Sequence, residues 1–142
     1  MLLANDIMLV QTSFARVMPI SEAAADLFYD RLFEVAPQVR HLFPTDLREQ
    51  KRKLMSMLGA AVGALNEPDA LIPKLKALGA RHVTYGATTA HYDVVGEALL
   101  WTLERGLGEA FTAEVRKAWT SVYNVVAATM QPGTAEEHDT QV

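Results

Sequence analysis

The chain has 142 residues, 50% of them hydrophobic, with a net charge of −4, a pI near 5.5 and no cysteine. That length suits one domain with a real core, the acidic balance argues against a nucleic-acid partner, and the lack of cysteine excludes disulfides, thiolate metal sites and cysteine nucleophiles. No apolar run approaches the roughly 20 residues of a membrane span, and MLLANDIMLVQTSFARVMPI lacks the basic start and unbroken apolar stretch of a secretory signal, so the expectation is a soluble, cytoplasmic protein with no membrane association.

In chain order the residues read as helices throughout, because β-branched side chains fall at helical rather than alternating spacing. A first helix spans Asn5 to Arg16. Pro19 breaks it, and Ser21 is the expected N-cap of a second helix running to Ala36, with Ala25, Phe28, Tyr29, Leu32 and Phe33 inward. Pro37 opens a short helical turn through Val39 and Leu42 that Phe43 and Pro44 close. Thr45 to Leu65 reads as the next helix, striped by Leu54, Met55, Leu58, Ala61, Val62 and Leu65, with Gln50 one turn before Leu54. Asn66, Glu67 and Pro68 precede a helix spent at Gly86. Tyr92 begins a long helix over Val95, Leu99 and Leu103, and Thr112 caps a last helix through Thr129 that Pro132 and Gly133 end. The expected organisation is one all-α domain over residues 1–130 and a polar C-terminal tail over 131–142.

His82 is the most informative residue. Leu71, Leu75, Leu78 and His82 recur at helical spacing on one inward face, and an imidazole there is either a hydrogen-bonded core residue or a metal ligand. The cluster Arg48, Lys51, Arg52, Lys53 reads as a solvated helix face or as a patch for an anionic group. Tyr29, on pattern alone, is a packed core tyrosine.

About seven helices, a Pro-introduced third turn leading to Phe43 and an inward His82 together resemble a globin. The resemblance runs from about residue 5 to 130 and is nearest to bacterial single-domain haemoglobins and the haem domains of flavohaemoglobins. LFYDRLFEVAPQVRHLF is similar to their second and third helices, LGARHVTYG to their proximal-histidine segment, and AHYDVVGEALLWTLERGLG to the helix that follows. It implies helices packed three-over-three around one non-covalent haem b. The connection from Phe43 to Gln50 is short, so the helix between the third and fifth is expected to be short or absent.

The resemblance makes His82 the proximal iron ligand and Phe43 the ring against the porphyrin. Tyr29 and Gln50 become the distal hydrogen-bond donors, and Leu54 an apolar cap over the ligand. Lys53 or Arg52 is placed within reach of a haem propionate, and Tyr92 on the proximal side. His41, His91, His138 and Met55 are not expected to ligate iron. Two donors aimed at a bound O₂, which carries partial negative charge, would stabilise it by about 1–3 kcal/mol and slow release roughly ten- to a hundredfold. In the relatives a final-helix glutamate joins Tyr92 beside the histidine, but its position falls here near Thr134, and Glu136 and Glu137 lie in the tail, so His82 is expected to keep ordinary imidazole character. The function implied is reversible, high-affinity O₂ binding, or nitric oxide dioxygenation with a separate reductase. CO and NO are further ligands, and the chain is expected to be a monomer or homodimer. A haem-free helical interaction module is the remaining reading.

Overall fold

The stripes read from the sequence fold as six α-helices in a computed structural model that describes residues 2–84 and 86–131. They are α1 (Ala4–Val17), α2 (Ser21–Val35), α3 (Arg48–Gly63), α4 (Pro68–Thr84), α5 (Thr89–Leu107) and α6 (Ala113–Met130). Short 3-10 turns lie at Met18–Ile20, Pro37–Leu42 and Gly108–Ala110, and no strand occurs among the described residues. The turn at Pro37–Leu42 is the expected short third helix. The expected tail, with Glu136, Glu137 and His138, lies outside the described residues except for Gln131.

Three expected helix starts are corrected. Ser21 does not cap α2: it already has helical dihedrals and donates its N–H to the Met18 carbonyl, because the Pro19 turn runs directly into the helix. The helix expected from Thr45 begins at Arg48. Before it, the Arg40 guanidinium gathers the carbonyls of Phe43, Pro44 and Thr45 at 3.3, 2.9 and 3.1 Å, and an Asp46 carboxylate oxygen accepts the Arg48 N–H at 3.0 Å. Those bonds satisfy a short non-helical connection where a further helix would otherwise stand. Finally, α5 starts at Thr89 rather than Tyr92, because Thr88 and His91 form a reciprocal capping box, with the Thr88 N–H donating to His91 Nδ1 at 3.1 Å.

The layers pack α1 and α4 against α6, α2 against α5, and α3 against α2 and α1, which places α1, α3 and α4 over α2, α5 and α6. Val10, Leu32, Ala36, Ala98 and Ala118 are fully buried at the centre. A buried polar bond joins the layers: Trp119 Nε1 donates to Ser13 Oγ at 2.8 Å, and Ser13 Oγ donates to the Val10 carbonyl at 3.1 Å, so neither group is left unpaired in the core. Thr112 caps α6 as expected, its hydroxyl accepting from the Val115 N–H.

Gly79 makes a close approach to another backbone. A Cβ built there would lie 1.6 Å from the Met130 carbonyl oxygen, so α4 rests on the last turn of α6 in a way only glycine permits. At Gly63, by contrast, a Cβ meets open space. Gly79→Ala should therefore destabilise by about 1–3 kcal/mol, the cost of forcing an overpacked backbone apart, while Gly63→Ala should be neutral or mildly stabilising. Denaturant melts of the two variants check this, and equal midpoints would contradict it.

Candidate functional site

α3 and α4 follow one another in the chain yet pack mainly against other helices, α3 on α2 and α1, α4 on α6. Met55, Val62, Leu71 and Leu75 on these helices are buried, but other inward residues are only half-buried although packed on the core: Leu54 and Leu58 on α3, Leu78 on α4, and Tyr92 and Val95 on the neighbouring α5. Half-buried apolar side chains on three helices mark a partly covered face of the core.

His82 stands at the end of α4, half-buried. Its Nδ1 lies 2.8 Å from the Leu78 carbonyl. A carbonyl oxygen only accepts, so the ring proton is on Nδ1 and the neutral imidazole carries its lone pair on Nε2. The backbone around it is held equally firmly. The Ala87 N–H donates to the His82 carbonyl at 2.9 Å and the Gly86 N–H to the Val83 carbonyl at 3.0 Å, a Schellman closure that uses the positive φ of Gly86, 93°.

Tyr29 and Gln50 come together. Tyr29 is 3% exposed on α2, and the half-buried Gln50 side chain on α3 comes near enough to its phenol to act on its acidity. Burial pushes the phenol pKa above the ordinary tyrosine range, and the nearby Gln50 side chain offsets part of that rise. Lys51 clamps the two helices beside this pair, its Nζ 2.9 Å from the Asp26 carboxylate of α2. Phe43 meets Tyr29 edge to face at 5.7 Å and Phe33 at 5.5 Å, so the 3-10 turn delivers its phenylalanine into the same aromatic cluster. Lys53 is placed elsewhere: its side chain is 70% exposed on α3 with its Nζ 3.9 Å from Glu49. Arg52 is similarly exposed, and His41 is exposed.

Tyr92 lies beside the imidazole, with ring centroids 6.5 Å apart. Its hydroxyl is buried without a hydrogen-bond partner among the described residues, a condition worth about 1–3 kcal/mol of unreturned desolvation. Burial raises its pKa. Tyr123 and the Asp26–Lys51 pair carry no mark in the sequence pattern, because each acts across distant segments. Tyr123 donates to the Tyr92 carbonyl at 2.5 Å. The glycine at position 96 was a legible signal of a ring pressed on the helix backbone, since the interior of a helix disfavours glycine.

The donor set has one imidazole and no cysteine, and no group of three His, Asp or Glu side chains that could hold a bare metal occurs among the described residues. A lone protein nitrogen fits a metal whose other ligands come from a macrocycle, and the half-buried apolar face and the orphaned Tyr92 hydroxyl fit a flat, largely apolar group with polar edges.

The globin family model matches residues 26–130. Neuroglobin of Tetraodon nigroviridis is 33% identical over 124 residues, covering 78% of each chain. The flavohemoprotein of Bacillus subtilis is 31% identical over 109 residues, which are 75% of this chain and 27% of that protein. An engineered carbene transferase made from a Rhodothermus marinus protein, itself named as a nitric oxide dioxygenase, superposes with a TM-score of 0.84 at 26% identity over 99% of both chains. The chain belongs to the globin family, with the all-α globin fold that the sequence led us to expect, and membership implies haem as its cofactor. No helix among the described residues is long and apolar enough to cross a membrane.

Because the folded state holds the Tyr29 proton more tightly than the unfolded chain, this phenol's contribution to stability is intact below the ordinary tyrosine range and is lost as pH rises through that range toward the folded value. Tyrosinate absorbance during alkaline titration should lag behind that of the unfolded protein, and Tyr29→Phe should remove part of the lag. A wild-type curve that overlays the unfolded one would contradict the burial assignment.

Proposed function

We propose that this globin binds one non-covalent haem b through His82 and binds O₂ reversibly and tightly on the Tyr29–Gln50 side. The observation that carries the reading is the approach of Gln50 on α3 to the buried Tyr29 phenol on α2, together with an imidazole on α4 whose tautomer the Leu78 carbonyl fixes. When bound, haem supplies an iron centre with a position open to a diatomic ligand. His82 offers its Nε2 lone pair to that iron, and the Leu78 carbonyl keeps the imidazole in orientation. Phe43 lies against the macrocycle, its ring fixed by Tyr29 and Phe33. Leu54 gives the ligand an apolar cap. Tyr29 keeps its proton at neutral and mildly alkaline pH and donates it in a hydrogen bond to a ligand carrying partial negative charge, with the Gln50 amide as second donor. Tyr92 closes the proximal side. A propionate is served by the exposed cations Arg52 and Lys53 only if their pairing with Glu49 yields.

Nitric oxide dioxygenation is the second reading, supported by the flavohemoprotein relatives and the Rhodothermus marinus neighbour. Nitrate forms from NO, O₂ and one electron, so each turnover draws on a separate reductase. Spectra of the purified protein in ferric, ferrous and oxygenated forms, followed by NO consumption with and without a flavin reductase, test both. Failure to take up haem would end both readings. A stable oxygenated form that leaves NO unconsumed would retain the first alone.

His82→Ala should lose most of its haem on gel filtration, and full retention with an unchanged spectrum would remove His82 as the ligand. Tyr29→Phe should raise the O₂ dissociation rate on the order of tenfold, the worth of one charge-assisted hydrogen bond, and by more than Gln50→Leu does, because Tyr29 is fixed in the core while Gln50 follows a short connection. Stopped-flow displacement by CO measures both rates, and the reverse order would overturn this ranking.

A further inference from the structure

Lys51 differs from the other cations of its stretch. Its side chain is 28% exposed, against 91%, 78% and 70% for Arg48, Arg52 and Lys53, and it reaches across to α2, its Nζ 2.9 Å from the Asp26 carboxylate. A lysine turned inward against a neighbouring helix gives up rotamer freedom that a solvated one keeps, so the pair holds α3 to α2 at a defined point. What stands beside that point gives it its consequence. Gln50 precedes Lys51 on α3, and Asp26 lies three residues before Tyr29, on the same side of α2. The ion pair and the approach of Gln50 to the Tyr29 phenol are thus neighbouring rungs between the same two helices. Adjacent residues lie about 100° apart around a helix, so a roll of the first turn of α3 that parts Lys51 from Asp26 also turns Gln50 relative to the phenol. That turn is weakly held within its own segment. Leu47 at the N-cap position contributes no side-chain bond, and the helix ladder opens only with the Lys51 N–H on the Leu47 carbonyl at 2.8 Å. The Asp46 carboxylate meets the Arg48 N–H but ties the turn to the preceding connection, not to α2.

We propose that Lys51, through its ion pair with Asp26, is a positioning residue of the distal side, setting how closely Gln50 stands to Tyr29 and so how well the two donors act on one bound O₂. The inference rests on the O₂-binding reading above and adds that ligand retention is tuned from the α2–α3 ion pair, by side chains that act through Gln50.

Lys51→Met keeps the apolar stem and removes only the ammonium. In the haem-loaded protein it should raise the O₂ dissociation rate, measured by stopped-flow displacement with CO, by about two- to fivefold, the range that a partly exposed ion pair supplies. Asp26→Asn should do the same, and the two together no more than either alone. Exchanging the charges, with Asp26→Lys and Lys51→Asp in one chain, should return part of the loss. In a Gln50→Leu background Lys51→Met should have little effect, since the action passes through the Gln50 amide. In the haem-free chain, with tyrosines ¹³C-labelled at Cζ, Lys51→Met should move the Tyr29 resonance toward its position in Gln50→Leu while that of Tyr123 stays, and this arm stands whether or not haem binds. Wild-type protein that takes up no haem would refute the functional reading. An unchanged O₂ dissociation rate in both single variants, or an unmoved Tyr29 resonance, would refute the positioning role alone. A rate increase that persists undiminished without the Gln50 amide would reduce the pair to a general support of α3.

Discussion

The contact on which the rest depends is the seating of α4 on the end of α6 at Gly79, where the backbones meet with no room for a methyl group. His82 follows three residues later, so where α4 rests decides where the imidazole stands. Two further bonds finish the placement. The Leu78 carbonyl takes the Nδ1 proton, and the His82 carbonyl takes the Ala87 N–H in the closure around Gly86. Backbone and side chain of one residue are thus held from both directions, which fixes one tautomer and one orientation of the ring.

The other wall is built by different means. The segment between the Pro37–Leu42 turn and α3 has no helix to order it, and charges take that role. Arg40 binds the carbonyls of residues 43–45, Arg48 holds the Asp46 carboxyl down to a pKa of about 2, and Lys51 bridges to Asp26. The Arg48–Asp46 pair is solvent-exposed and adds little to stability. The Arg40 bonds matter more, because they satisfy backbone acceptors that a helix would have satisfied. Of the basic cluster near residue 50, Lys51 joins α3 to α2, while Arg48, Arg52 and Lys53 have a carboxylate within 4.0 Å in their own stretch of chain.

What the sequence disclosed and what it concealed follow one physical line. Periodic burial is local information, so the stripes of all six α-helices, the Thr112 cap and the Pro-led turn before Phe43 could be read from spacing alone. Starts that depend on how one turn hands over to the next could not. Ser21 looks like a cap until the Pro19 turn is seen to feed straight into α2, and Thr45 looks helical until Arg40 removes the carbonyls a helix would need. Contacts between distant segments were invisible for the same reason. Trp119 with Ser13 and Tyr123 with Tyr92 join residues 106 and 31 positions apart. The candidate site lies between these extremes. His82, Tyr29 and Phe43 were marked by spacing joined to a family resemblance, and the structure adds that the Gln50 side chain comes near the Tyr29 phenol and that Lys53 stands on the surface of α3.

The two sides of the candidate site differ in how their phenols are satisfied, and this difference bears on what a globin of this kind would do. Tyr29 has the Gln50 side chain close at hand, so a ligand between them would meet two donors already placed near each other, at small reorganisation cost. The Tyr92 hydroxyl has no partner among the described residues. A carboxylate joined to such a phenol draws on the ring's Nδ1 proton and makes the histidine a stronger donor to iron. Among the described residues the Nδ1–H of His82 is instead donated to the Leu78 carbonyl, an uncharged acceptor. On the proposed reading, strong ligand stabilisation above is therefore joined to ordinary electron donation below. That combination favours holding O₂ over splitting it. Oxidation of NO is compatible with it, because both oxygen atoms of O₂ end in nitrate and the O–O bond breaks only as NO takes them up, rather than by donation from the histidine side alone.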